Sequence, residues 1–218
     1  MRRQVIAFAC LFQQITNIIT NFIMKRLLFV LFAAVALCAC EAPGNGGEQK
    51  PPRPENALST LTDDKEVVFD VAQVWADCFG DYYNTGYYMW GMYLQAYDTR
   101  EQVYVELLTS STELVVPTGK FTVTAAAKEQ WSDRCILPGI MAEEYGEVYQ
   151  AYSWFLKVDP SSGFIPVYLE QAPIVKGVLT ITEESEGYYD FTFEFEDDAY
   201  NRIYGTYKGG AAVEDFRM

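Results

Sequence analysis

The sequence predicts an all-β protein, mainly antiparallel, built as a sandwich of about nine or ten short strands, with a flattened up-and-down barrel as the alternative. Three observations carry this. Runs in which apolar and polar residues alternate recur along residues 66–207. Turn signals separate them at intervals of about eight to twelve residues. No segment shows sustained helical periodicity or the strand–helix–strand spacing of a parallel sheet.

The first fold-bearing run is Glu66–Phe79 (EVVFDVAQVWADCF). Val67, Phe69 and Val71 alternate with Val68, Asp70 and Ala72 before the phase blurs near Gln73, predicting two strands or one bulged strand. Asn84-Thr85-Gly86 is a turn. Tyr82–Leu108 then reads as an aromatic hairpin turning at Asp98-Thr99-Arg100-Glu101. One face carries Tyr88, Trp90, Met92, Leu94 and Ala96. The other carries Tyr87, Met89, Gly91, Tyr93, Gln95 and Tyr97. The expected register sets Ala96 against Val103, Leu94 against Val105 and Met92 against Leu107. It also sets Gln95 against Tyr104 and Tyr93 against Glu106.

Downstream, Pro117-Thr118-Gly119 turns into a strand with Phe121, Val123 and Ala125 inward. Residues 126–147 are irregular, with room for a short helix at Ala125–Trp131. Tyr149–Val158 alternates again, with Tyr152, Trp154, Leu156 and Val158 inward. Asp159–Gly163 is a turn that would set Val158 against Ile165, Leu156 against Val167 and Trp154 against Leu169. In the last third, Leu179 and Ile181 should oppose Phe191 and Tyr189 across a loop ending in Gly187. Tyr189, Phe191, Phe193 and Phe195 form a heavy inward face. To keep Ile203, Gly205 and Tyr207 on that face, the connection near Asp198 must be odd in length, predicting a bulge.

The residues ahead of this domain read as addressing information. Met24-Lys25-Arg26 is a basic start, Leu27–Leu37 an apolar run, and Leu37-Cys38-Ala39-Cys40 places a Cys after a small residue. This is the pattern of a secretory signal. Leu27–Ala39 is thirteen residues long, against the roughly 20 a membrane helix needs. Residues 1–23, with Gln13, Gln14, Asn17 and Asn21, suit no signal core and read as a start-site artefact, translation beginning at Met24. Residues 24–39 are then the signal, 40–58 a Pro/Gly-rich flexible tether and 59–218 a single β domain.

The chain carries 16 basic and 30 acidic residues and no histidine. Four of the bases and none of the acids precede Cys40, so the mature chain has 12 bases against 30 acids. That balance argues against nucleic acid or anionic lipid surfaces as partners. Without histidine there is no Ser-His-Asp or Cys-His catalysis and no His-ligated metal. No phosphate-cradling glycine motif or dinucleotide fingerprint is present, and no cofactor is implied. Cys78 and Cys135 remain as a possible disulfide or as two buried thiols. Carboxylates are numerous (Asp77, Asp81, Glu106, Glu143, Glu144 and Glu147 among them), and a carboxylate-based glycoside hydrolase stands as a further alternative. Glu194, Glu196, Asp197 and Asp198 read as a solvated turn in preference to a calcium site.

Several segments together carry a resemblance: the Cys40 box, LVVPTGKFTV at Leu114–Val123, AYSWFLKVDPSSGFI, and GVLTITEESEGYYDFTFEFEDDAYNRIYGTYKG. The chain resembles a family of small lipid-anchored β proteins from the envelope of Gram-negative anaerobes. The resemblance implies a β-sandwich lipoprotein of the outer membrane, anchored by diacylglyceryl on Cys40, with its side of the membrane and its function left open. The remaining signal is the aromatic surplus. Trp90, Tyr88, Trp154 and Tyr189 are assigned to the core. Tyr87, Tyr93, Tyr97 and Tyr104, with Gln95 and Glu106 beside them, form a flat strip suited to a glycan or to an envelope protein, unless residues 126–147 or a second sheet cover it. A structural, adhesin-like assembly component is the alternative role.

Overall fold

Alternation of side chains along the strands leaves one apolar row per strand to be buried, and the strands bury it by pairing in a circuit. The structure, a computed structural model, describes residues 50–96, 100–162 and 166–217, all within one compact unit, Lys50–Met218. Among them are twelve strands: β1 (Glu66–Asp70), β2 (Gln73–Gly80), β3 (Tyr88–Gln95), β4 (Glu101–Thr109), β5 (Gly119–Val123), β6 (Cys135–Ile136), β7 (Ile140–Glu144), β8 (Glu147–Ala151), β9 (Trp154–Val158), β10 (Tyr168–Ser185), β11 (Tyr188–Asp197) and β12 (Arg202–Asp215). The fold is all-β, and its helical content among the described residues is one 3-10 turn at Lys128–Gln130.

The main sheet runs β2-β3-β4 and then forks. The first half of β4 pairs with β9 and its last residues pair with β6. The long β10 forks the same way, taking β9 on its first half and β5 on its second. From β10 the path continues to β11 and β12. The end of β12 then pairs in parallel with β2, Ala211–Asp215 against Val74–Cys78, which closes the circuit. The hydrogen bonding therefore describes a flattened barrel. Inside it lie Phe69, Trp90, Met92, Leu94, Val103, Val105, Leu107, Phe121, Phe155, Ile174, Phe191, Phe193, Phe195 and Ile203, all at most 2% exposed. β7 and β8 form a separate two-stranded sheet.

The inward rows of the aromatic hairpin are as expected, but its register is two residues different. Leu94 opposes Val103, Met92 opposes Val105 and Tyr93 opposes Tyr104. The last pair lies one residue earlier than the turn at 98–101 implies: the Ala96 N–H donates to the Glu101 carbonyl at 3.0 Å, and Arg100 takes a left-handed conformation at φ 53°. Because the slip is even, no side chain changed face. The β10–β11 hairpin repeats this, with Leu179 opposite Phe193 and Ile181 opposite Phe191; the register also shifts between Glu183 and Ser185, while Gly187 closes the loop at φ 72°. The β11–β12 connection is odd, as expected. Asp197 N–H bonds the Asn201 carbonyl, leaving three residues between them, with Tyr200 at φ 64°. The Asp197 carboxylate accepts from the N–H groups of Ala199 and Asn201 and from Asn201 Nδ2, and Asp198 accepts from the N–H groups of Leu58 and Ser59.

Two expectations are corrected, the inward phase of β9 and the inward place of Ala125. β9 carries the opposite phase: Phe155 points into the barrel, while Trp154 and Leu156 face outward. The cause is Tyr152, whose left-handed φ of 67° breaks the run between β8 and β9. Its partner register differs too, with Leu156 opposite Gln171 and Trp154 opposite Pro173; Ile165 lies outside the described residues. Ala125 is exposed beyond the end of β5. Cys78 and Cys135 are free, buried thiols. Cys78 points into the barrel with Trp90, whereas Cys135 lies with Met89 and Leu108 on the outer face. They are also three strand spacings apart, roughly 14 Å, beyond the reach of a disulfide. The expected tether engages the domain from Arg53, whose guanidinium bonds the Leu61 carbonyl at 2.7 Å, Asp63 at 3.0 Å and the Ser59 carbonyl. Residues 1–49, including Cys40 and the signal, lie outside the described residues.

Candidate functional site

The outward rows of β2, β3, β4 and β9 meet in three tiers. In the middle tier Trp75, Tyr93, Tyr104 and Trp154 are direct cross-strand partners on four adjacent strands. Trp75 stacks on Tyr93 with ring centroids 5.3 Å apart, and Tyr93 leans on Tyr104 at 4.7 Å. Such pairs add about 0.5–1.5 kcal/mol each beyond their buried area. One tier along, Gln73 donates to Gln95 (2.8 Å) and Gln95 donates to Gln102 (3.2 Å). On the other side lie Asp77, Gly91 and Glu106. Gly91 makes room there for the Tyr104 ring: a Cβ would lie 3.0 Å from the Tyr104 hydroxyl and push the ring by a few tenths of an ångström.

Glu106 is the electrostatic centre. It is 8% exposed, and its carboxylate accepts from the Tyr83 hydroxyl at 2.6 Å and the Tyr104 hydroxyl at 3.0 Å. Its own N–H donates to Ser153 Oγ at 3.1 Å. Burial pushes the Glu106 carboxyl above its ordinary pKa, and the two tyrosine bonds pull it partly back. The Tyr83 and Tyr104 hydroxyls are pushed well up, first by burial and then by the neighbouring negative charge.

Tyr83 is delivered by the loop after β2. Asp81 caps that loop by accepting from the N–H groups of Thr85 (2.7 Å) and Gly86 (3.0 Å), and Lys128 Nζ bonds the Tyr83 carbonyl. Its ring makes edge contacts with Trp131 at 5.1 Å and Tyr152 at 6.1 Å. The β7–β8 hairpin forms the facing wall with Ala142, Tyr149 and Gln150, and Tyr168 at the start of β10 closes the end. Gln150 donates to Gln171 at 2.9 Å, pinning β8 to β10. The Trp154 indole N–H donates to the Ala151 carbonyl at 2.8 Å.

The result is a cleft of about 570 Å³, floored by Tyr93, Tyr104, Glu106 and Trp154 and walled by Tyr83, Tyr149 and Tyr152. It grades from a dry floor to a wet rim: Trp154 is 2% exposed, whereas Tyr168, Tyr149 and Tyr82 are 38%, 43% and 57% exposed. The strip expected to be flat is therefore concave, half-covered by a small second sheet. Of the residues singled out from sequence, Tyr93, Tyr104 and Glu106 line it. Gln95 sits behind Gln102, which lines the cleft. Tyr87 packs beside Met89 in the outer apolar cluster, and Tyr97 lies outside the described residues. The other acids do not join Glu106: Asp81 serves its loop, Asp77 lies beyond the lining, and Glu143, Glu144 and Glu147 are exposed on the small sheet.

Tyr82, Tyr83, Gln102, Tyr149, Gln150, Tyr152, Trp154 and Tyr168 line the cleft although the sequence pattern does not place them in the strip. Gln102 was within reach of the pattern, since it alternates with Tyr104 and Glu106. Among the described residues no group of His, Cys, Asp or Glu is arranged to hold a metal ion, and no helix is long and apolar enough to cross a membrane. No family model, curated protein or solved structure matches this chain.

Proposed function

We propose that this chain is a glycan-binding domain without catalytic activity, held at the outer membrane through lipid on Cys40. One observation carries the reading: a concave cleft in which tyrosine and tryptophan rings, side-chain amides and one oriented carboxylate converge. Apolar ring faces stack on the C–H faces of sugars, while Gln102, Gln150, the tyrosine hydroxyls and Glu106 match sugar hydroxyls with donors and acceptors. About 570 Å³ falls within the range of small-ligand sites, roughly 300–1,000 Å³. The same concavity favours a small ligand over an envelope protein, which needs about 800 Å² of matched surface per partner.

The other readings have less support. Two-carboxylate hydrolysis needs a second acid facing the first, and among the described residues lining the cleft Glu106 alone is acidic. Assembly by strand addition needs a long open edge. Closure through β12 and β2 leaves β1, β7 and β8 as the strands paired on one side only, each five residues long. A glycan array probed with the wild-type chain and with Tyr93→Ala tests the proposal. Binding by the wild type that is lost in the variant is the expected result, and an array without any wild-type signal ends the glycan reading.

A further inference from the structure

We infer that the sugar seated over Glu106 carries a protonated amine, so that the cleft selects free amino sugars over their N-acetylated, neutral and acidic counterparts. The inference rests on the glycan reading and adds the charge of the ligand. Glu106 is more than nine-tenths buried, yet among the described residues it forms no ion pair and no Lys or Arg lines the cleft. A carboxylate withdrawn from water without a cation is unfavourable, and a cation brought by the ligand relieves it.

The geometry is set for that cation. Tyr83 and Tyr104 each donate to a different carboxylate oxygen. This fixes the group and leaves lone-pair capacity on both oxygens, while an ammonium brings three donors. Aromatic rings, a type of group whose faces attract cations, line the same cleft: Tyr83, Tyr93, Tyr104 and Tyr152. An N-acetyl group brings no charge to the buried carboxylate. A uronic acid brings a like charge. The chain's net charge of −14 adds a long-range bias in the same direction.

The test is titration calorimetry on the full chain with three oligosaccharides of equal length: β-linked glucosamine, N-acetylglucosamine and glucose. The glucosamine oligomer is expected to bind at least about tenfold more tightly than the other two, the scale of one charge-assisted contact. Glu106→Gln keeps the size, removes the charge and turns one acceptor oxygen into a donor, and it is expected to abolish that preference, bringing the glucosamine oligomer down to the affinity of the neutral oligomers in the same variant. Equal or tighter binding of a neutral oligomer, or a preference that survives in Glu106→Gln, overturns the amino-sugar assignment and leaves the glycan reading standing. If the glucosamine oligomer fails to bind while the array finds other glycans, the assignment falls alone; an empty array removes both. A lysine-rich peptide that binds the wild type more tightly than any sugar also overturns it.

Discussion

Phenylalanine and tyrosine divide this molecule between them. Inside the barrel, Phe69, Phe121, Phe155, Phe191, Phe193 and Phe195 are at most 2% exposed, with Phe193 stacked on Phe195 at 5.4 Å and tilted against Phe69 at 6.2 Å. Outside, the cleft is built of Tyr82, Tyr83, Tyr93, Tyr104, Tyr149, Tyr152 and Tyr168. The rings are nearly the same size, so packing does not sort them; the hydroxyl does. A buried hydroxyl without a partner costs free energy, and Tyr83 and Tyr104 meet that demand at Glu106. Tyr189, 6% exposed in the barrel, Tyr88 and Tyr207, packed against the same core, and Phe79, in the cleft lining, are exceptions. The contrast teaches that a ring's place in the fold, and not the aromatic count, separates the core from the cleft.

The largest effect that would separate the two regions is Phe193→Ala. It should cost about 3–5 kcal/mol of stability, the scale for removing a buried phenyl ring, measured by urea denaturation, while the folded fraction keeps wild-type glycan affinity. Tyr93→Ala should do the reverse, weakening affinity about tenfold or more by calorimetry with a stability loss below about 2 kcal/mol. An equal loss of stability in both variants would erase the contrast. Tyr104→Phe keeps the ring and removes one donor to the buried carboxylate, so a loss of about 1–2 kcal/mol is expected. Glu106→Gln should have the smallest effect, with the opposite sign. Folding raises the Glu106 carboxyl above its ordinary value of 4.5, so the folded state favours the proton. Its stabilising contribution is complete below that value and is lost as pH rises through the folded pKa. The variant should therefore melt above the wild type at neutral pH, with the advantage gone in acid. An identical pH profile for both proteins would show that the carboxylate is not strained by burial.

How much of this was legible depends on what alternation can and cannot say. It assigned Trp90, Met92 and Leu94 to the barrel and Tyr93 and Tyr104 to the outer face, because a period of two survives any even slip in register. It could not supply the register itself, which depends on how the chain turns between Ala96 and Glu101. It failed at Trp154 because Tyr152 adopts a left-handed backbone that a non-glycine residue rarely takes, and nothing in AYSWF announces it. The cleft wall was illegible for a related reason. β7 reads as irregular and β8 merges into the run at Tyr149–Val158, since both lie outside the barrel and expose most of both faces, leaving no apolar row to mark them. The three tiers, by contrast, follow once register is known: Gln, aromatic and acid simply repeat on neighbouring strands.

The parallel seam between β12 and β2 joins Ala211 to Val74 and Asp215 to Cys78, segments separated by most of the domain's length. Contacts so distant along the chain carry a high loop-closure entropy and form late. Until the last strand docks, β2 is an open edge beside the outward row that carries Trp75 and the stack onto Tyr93. Late docking of β12 would therefore leave the Trp75–Tyr93 stack beside the cleft among the last features to settle. A chain ending before residue 211 would have most of its strands, but neither a sealed core nor a settled cleft.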